Sequence, residues 1–127
     1  MSKKIIQTPL APAPIGPYSQ AVQAGQMVFT SGQIAIDPVS NTYEPAAVEK
    51  ETELVMKNLE ALLEAAGCGF KDVVKTSIFL QSMTDFAAVN QVYSRYFTDH
   101  FPARETVEVA CLPKSCKVEI SMIALVP

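Results

Sequence analysis

Arg104 stands at the mouth of an apolar run, between Phe101-Pro102-Ala103 and the strand-like stretch from Thr106 to Ala110. A guanidinium is planar and always charged, and it grips a carboxylate or phosphate through two parallel hydrogen bonds. Pro102 stiffens the approach, and rigidity is what such a clamp needs. A surface arginine paired with a carboxylate explains the same residue. Glu119 lies between Val118 and Ile120 in the last apolar run. A solvated strand position accounts for it; partly buried, its pKa would rise and suit it to general acid or base work. Tyr18 follows a segment stiffened by Pro9, Pro12, Pro14 and Pro17. It either plugs the core or aims its hydroxyl at a ligand. Ser31, just before Gly32, is either a hydrogen-bond donor at a strand end or a small sheet residue.

Other chemistries are excluded or disfavoured. His100 is the one histidine, so neither a Ser-His-Asp arrangement nor a metal site is expected, although Asp99 adjoins it. No G-x-S-x-G, P-loop or G-x-G-x-x-G occurs. Cys68, Cys111 and Cys116 make an odd count without a C-x-x-C pair, which points to reduced thiols. Cys68, between Gly67 and Gly69, reads as structural or surface, and nothing in sequence lowers the thiol pKa of Cys111 or Cys116. The net charge is −3 and the basic residues are scattered, which disfavours a nucleic-acid partner. No run approaches the roughly 20 apolar residues of a membrane span. The N-terminal stretch lacks a secretory apolar region. A soluble, cytoplasmic protein is expected, with mitochondrial import left open.

The chain of 127 residues suits one domain, residues 1–127, with one core. Around Ala24-Gly25, two strand-like pieces flank a turn. Pro45 to Ala66 carries the clearest helical stripe: Val48, Val55, Leu59, Leu62, Leu63 and Ala66, with Thr52 filling a gap. Pro45 suits its first turn and Gly67 its C-terminal cap, while Glu49, Glu51 and Glu53 suit its dipole. Asp72 to Leu80 is β-branched and apolar, a strand. Thr84 is placed to cap a second helix, Asp85 to Phe97, with Phe86, Val89, Tyr93 and Phe97 on one face. Two closing strands, Thr106 to Ala110 and Cys116 to Val126, are expected to pair as a hairpin around Pro113.

The order β-β-α-β-α-β-β predicts an α+β sandwich, a mixed sheet with two helices on one face. In the last strand Val118, Ile120, Met122, Ala124 and Val126 point one way, yet Ile123 and Leu125 on the other side are apolar as well. With helices enough for one face, the second is expected to meet other subunits.

Several motifs resemble the RidA (YjgF) family nearly end to end, in the family's order and spacing. They are Ile15 to Val22 (IGPYSQAV), Ser31 to Ile34 (SGQI), Ala65-Ala66-Gly67, Asp72 to Thr76 (DVVKT), the Asp85-Phe86, Val89-Asn90, Tyr93 and Phe97 set, Phe101 to Arg104 (FPAR), Val107 to Ala110 (VEVA), Leu112-Pro113-Lys114 and Glu119-Ile120. The resemblance implies a chorismate-mutase-like fold and a homotrimer with ligand clefts between subunits. It implies hydrolytic deamination of reactive 2-imino and 2-enamino acids, released by pyridoxal-phosphate dehydratases acting on serine or threonine, to 2-keto acids and ammonia. No cofactor or metal is expected. The family's carboxylate-binding arginine falls on Arg104, its water-positioning glutamate on Glu119, its cleft tyrosine on Tyr18 and its cleft serine on Ser31. The family often has a cysteine where this chain has Thr106, which removes a thiol from the cleft and leaves the Thr106 backbone N–H to meet the ligand. Alternatives from other classes are a trimeric keto-acid sensor and a chaperone-like or translation-inhibiting protein, a ribonuclease included.

Overall fold

A computed structural model describes residues 2–127. Among these residues six strands form one sheet: β1 (Lys3–Ile6), β2 (Ala21–Ala24), β3 (Met27–Thr30), β4 (Val73–Leu80), β5 (Ala103–Glu108) and β6 (Val118–Leu125). The helices are α1 (Val48–Ala65) and α2 (Phe86–Ser94). The strand order is β1-β2-β3-β6-β4-β5, antiparallel throughout except for β4 with β5. This is the expected α+β sandwich.

The expected hairpin between the last two strands does not form. β5 lies parallel to β4 at the sheet edge, Thr76 level with Arg104, and β6 inserts between β4 and β3. A parallel pair needs a crossover, and α2 supplies it. Residues 109–117, with a 3-10 turn at Pro113–Ser115, are too long for a tight turn and step across β4 instead. The first strand, β1, was not expected. It is four residues with two lysines at the opposite edge, too short and too charged to show alternation, as edge strands often are.

Helix α1 starts at Val48, three residues after Pro45, because Ala47 keeps an extended backbone. It ends as expected: Gly67 takes φ +84°, a conformation that disfavours side chains. The whole predicted stripe is buried, and Thr52 joins it by donating its hydroxyl to the Val48 carbonyl at 2.7 Å. Helix α2 is shorter than expected. A 3-10 turn precedes it, with the Ser82 hydroxyl accepting from the Thr84 N–H at 3.3 Å, so Ser82 caps where Thr84 was expected to. Phe97 reaches the core from beyond the helix, stacked 4.7 Å from Tyr93.

Glu51 departs furthest from its sequence reading. It is 1% exposed. Its carboxylate accepts from Tyr43 Oη at 2.7 Å, from Lys117 N at 3.0 Å and from Lys117 Nζ at 3.3 Å. It therefore ties α1 to the entry of β6 rather than serving the helix dipole alone. Glu51→Ala is expected to destabilise the fold by about 1–3 kcal/mol, because it removes the acceptor of the Lys117 N–H and the Tyr43 hydroxyl while the 39% exposed Lys117 ammonium rehydrates; urea unfolding measures this. Glu51→Gln, which keeps an acceptor, is expected to cost less.

The helices cover the face bearing Val118, Ile120, Met122 and Ala124. The other face presents Phe29 beside Ile123 and Met27 beside Leu125, with Phe29 41% and Leu125 43% exposed. Both faces of the sheet are thus apolar, and the protomer covers one.

Candidate functional site

Glu119 sits on the uncovered face, level with Phe79 of β4. Beyond β3 the chain bridges back to β6: Gln33 N–H donates to Ile120 O at 2.8 Å and Ile120 N–H to Gln33 O at 3.1 Å. The bridge lays the Gly32 backbone against the glutamate. A Cβ at Gly32 would fall 2.8 Å from Glu119 Cδ and closer still to Oε2. The glycine is required for this close approach, since its φ is not left-handed. Among the described residues no donor pairs with the Glu119 carboxylate. Burial pushes its pKa above the usual carboxylate value. Gly32→Ala is expected to cost little stability, because the atoms it displaces are the flexible end of the Glu119 side chain, and to drive the carboxyl toward solvent. Its pKa should then fall back toward the ordinary range, read by carboxyl NMR titration.

The Pro-rich loop delivers Tyr18 to the same cleft. Tyr18 is 50% exposed, and its hydroxyl accepts from Ile15 N at 3.4 Å. Ser31 Oγ donates to the Ser19 carbonyl at 2.6 Å, while Ser31 N–H donates to Gln20 O at 2.9 Å. Its hydroxyl proton is thus spent on the loop that holds Tyr18, and toward a ligand Ser31 is an acceptor. The cleft, of about 380 Å³, is lined by Tyr18, Ser31, Gly32, Ile34 and Glu119 among others. A larger hollow of about 680 Å³ lies under the N-terminal loop. The buried Gln20 beside it is already satisfied by Thr8, Ala11 and Pro12, so that hollow is loop packing.

Arg104 lies elsewhere. Its register partner Thr76 is buried beneath the helices, so its side chain leaves the sheet on the helix side. There Nη1 donates to Asn90 Oδ1 at 2.7 Å, and Cζ sits 5.1 Å from the Tyr93 ring centroid and 5.7 Å from that of Phe86. Thr106, level with Ile78, is on the same side, and its Oγ1 is buried without a hydrogen-bond partner among the described residues. Val109 N–H donates to Leu80 O at 3.0 Å. Strand alternation then turns the backbone N–H groups of Arg104 and Thr106 toward the open edge.

The predicted site residues therefore fall into two separate groups within one protomer. Tyr18, Ser31 and Glu119 share the uncovered face; Arg104 and Thr106 share the helix side. Two strand spacings and three residues of rise separate the backbones of Arg104 and Glu119 by roughly 14 Å. The sequence marks Gly32 as a point of close backbone approach or a bend without naming Glu119 as the group it meets, and it does not show the Asn90–Tyr93 setting of Arg104. The spacing of Phe86, Asn90 and Tyr93 on one helix face was the available signal. His100 lines a separate small hollow with Lys71 and Tyr96. No group of three metal-ligating side chains occurs among the described residues.

A mixed six-stranded sheet backed by two helices on one face, with an unpaired half-buried glutamate on one side and an edge arginine on the other, places the chain in the α+β class. The family model described as Endoribonuclease L-PSP matches residues 8–126. The chain is 47% identical over 123 residues to the mouse (Mus musculus) 2-iminobutanoate/2-iminopropanoate deaminase, covering 97% of this chain and 91% of that protein. The crystal structure of YyfA, of the Rid protein family of Yersinia pestis, superposes with a TM-score of 0.96 at 44% identity, covering 98% and 100% of the two chains. That of E. coli TdcF with bound serine gives 0.91 at 43% identity, covering 96% and 98%. The chain belongs to the RidA (YjgF) family.

Proposed function

We propose that this protein hydrolyses small 2-imino and 2-enamino acids to 2-keto acids and ammonia, with residues 1–127 as one domain of a homotrimer. The observation that carries this reading is Glu119: half-buried, unpaired, with a raised pKa, in a cleft sized for a small acid. The apolar uncovered sheet face supports assembly, and a seam between protomers is where the Arg104 half of one meets the Glu119 half of the next. The mouse relative's name supports the reaction. Three free cysteines suit a reducing, cytoplasmic setting, and no helix among the described residues is long and apolar enough to cross a membrane.

The chemistry needs little. Arg104 holds the substrate carboxylate and so orients C2. The Thr106 N–H at the open edge offers a further contact. A protonated imine is already a strong electrophile. Water adds its oxygen to C2 while Glu119 accepts one of its protons. Glu119 returns that proton to nitrogen, then accepts the hydroxyl proton as the O–H electrons form the carbonyl and the C–N bond breaks with its electron pair leaving on ammonia; passing that proton to ammonia restores the carboxylate and releases ammonium. An enamine is first protonated at C3 to become the imine.

The test is a coupled assay. A threonine dehydratase generates the imine, and trapped imine is measured with and without this protein. Saturable loss of imine, with sedimentation at three times the chain mass, is the expected result. Tight 2-ketobutyrate binding without any gain in rate would replace the enzyme with a keto-acid sensor.

A further inference from the structure

Arg104 belongs to a closed circuit. Its register partner across β4 and β5 is Thr76. Thr76 Oγ1 accepts from Tyr93 Oη at 3.0 Å, and both residues are buried. The Tyr93 ring in turn lies 5.1 Å beneath the Arg104 guanidinium carbon, and the Asn90 amide oxygen, one helical turn earlier on α2, takes a hydrogen bond from Nη1 at 2.7 Å. The ring fixes the plane of the guanidinium and the amide fixes its rotation within that plane. The Nε–Nη2 edge stays free, which is the edge a carboxylate takes side-on. An exposed arginine loses much rotamer freedom when it grips an acid. Here the ring and the amide already restrict it.

We propose that Asn90 and Tyr93 are positioning residues for the acid-binding step: they pre-orient Arg104 so that its free edge faces the incoming carboxylate. This rests on the reading of Arg104 as the carboxylate grip. Acting through Arg104, the pair sets affinity for acids and leaves affinity for neutral analogues alone. Asn90 is half-buried on the rim, so its variants test the idea without emptying the core.

The experiment compares wild type, Asn90→Ala, Asn90→Asp, Tyr93→Phe, Arg104→Ala and the Asn90→Ala/Arg104→Ala double variant. 2-Ketobutyrate and its uncharged amide are titrated by calorimetry, and KM and kcat are read for the imine. Asn90→Ala is expected to weaken keto-acid binding about tenfold, the cost of one hydrogen bond to a charged group, with the amide unaffected and the loss appearing in KM. Asn90→Asp keeps the guanidinium in place but supplies an internal carboxylate that competes with the ligand, so it is expected to weaken acid binding more than alanine does. Tyr93→Phe keeps the ring and is expected to stay within about threefold of wild type. In the Arg104→Ala background, Asn90→Ala is expected to cost nothing more. Unchanged keto-acid affinity in Asn90→Ala, or an additive loss in the double variant, would overturn the positioning role while leaving the arginine grip standing. Unchanged affinity in Arg104→Ala would remove the grip itself and this inference with it.

Discussion

Arg104→Ala is expected to lower kcat/KM for 2-iminobutanoate by about two to three orders of magnitude, the loss of two charge-assisted hydrogen bonds. Its side chain is exposed at the edge strand, and its one hydrogen bond goes to Asn90. Circular dichroism, melting and sedimentation are therefore expected to stay close to wild type. Arg104→Lys is expected to recover only part of the loss, about tenfold at best, because a lysine supplies a point charge without the fork. The pattern separates a grip from a structural arginine. A structural role would show first in melting and would be largely met by lysine. Deaminase activity retained in Arg104→Ala would take the arginine out of the chemistry, and the proposed seam between protomers would lose its purpose.

The fold was largely legible because its signals were local. The stripe Val55, Leu59, Leu62, Leu63 made α1, the positive φ at Gly67 ended it, and the β-branched run from Val73 made β4. What failed was pairing. β5 and β6 are neighbours in sequence but not in the sheet, and no local property of residues 109–117 says that they cross β4. That one error carried into the site. A hairpin would have brought Arg104 and Glu119 toward one edge; the parallel β4–β5 pair turns Arg104 to the helix side and leaves Glu119 on the other.

Glu51 shows a second kind of failure. On a helix surface a carboxylate in the first turn is ordinary, and only the tertiary arrival of Lys117 and Tyr43 makes it a buried node. Glu119 is the converse. Its place between apolar neighbours left open a solvated or a partly buried position, and the structure makes it half-buried. What the sequence could not show is that Gly32 crowds the carboxyl, or that the protomer supplies it no donor.

Glu119→Gln joins function to stability. As the proton carrier, Glu119 must be ionised to accept from water, so the wild-type rate is expected to rise with pH through its raised pKa. The glutamine variant is expected to lose about 10²–10⁴-fold in kcat, the usual worth of general base catalysis, and the acid limb of the profile with it. Keto-acid affinity, which rests on Arg104, is expected to change little. The stability effect has the opposite sign. Burial raises the folded pKa above the unfolded value of about 4.3. The folded state thus holds the proton more tightly than the unfolded chain does. The stabilisation from that proton is complete below the unfolded value and is lost as pH rises through the raised one. At neutral pH the ionised carboxylate therefore costs stability, and a neutral amide of the same shape removes the cost. Glu119→Gln is expected to melt above wild type at pH 7 and to converge with it toward pH 4 and below. A slower but more stable variant would mark the glutamate as a group kept for its chemistry. Equal melting at pH 7, with turnover intact, would return it to an ordinary sheet residue.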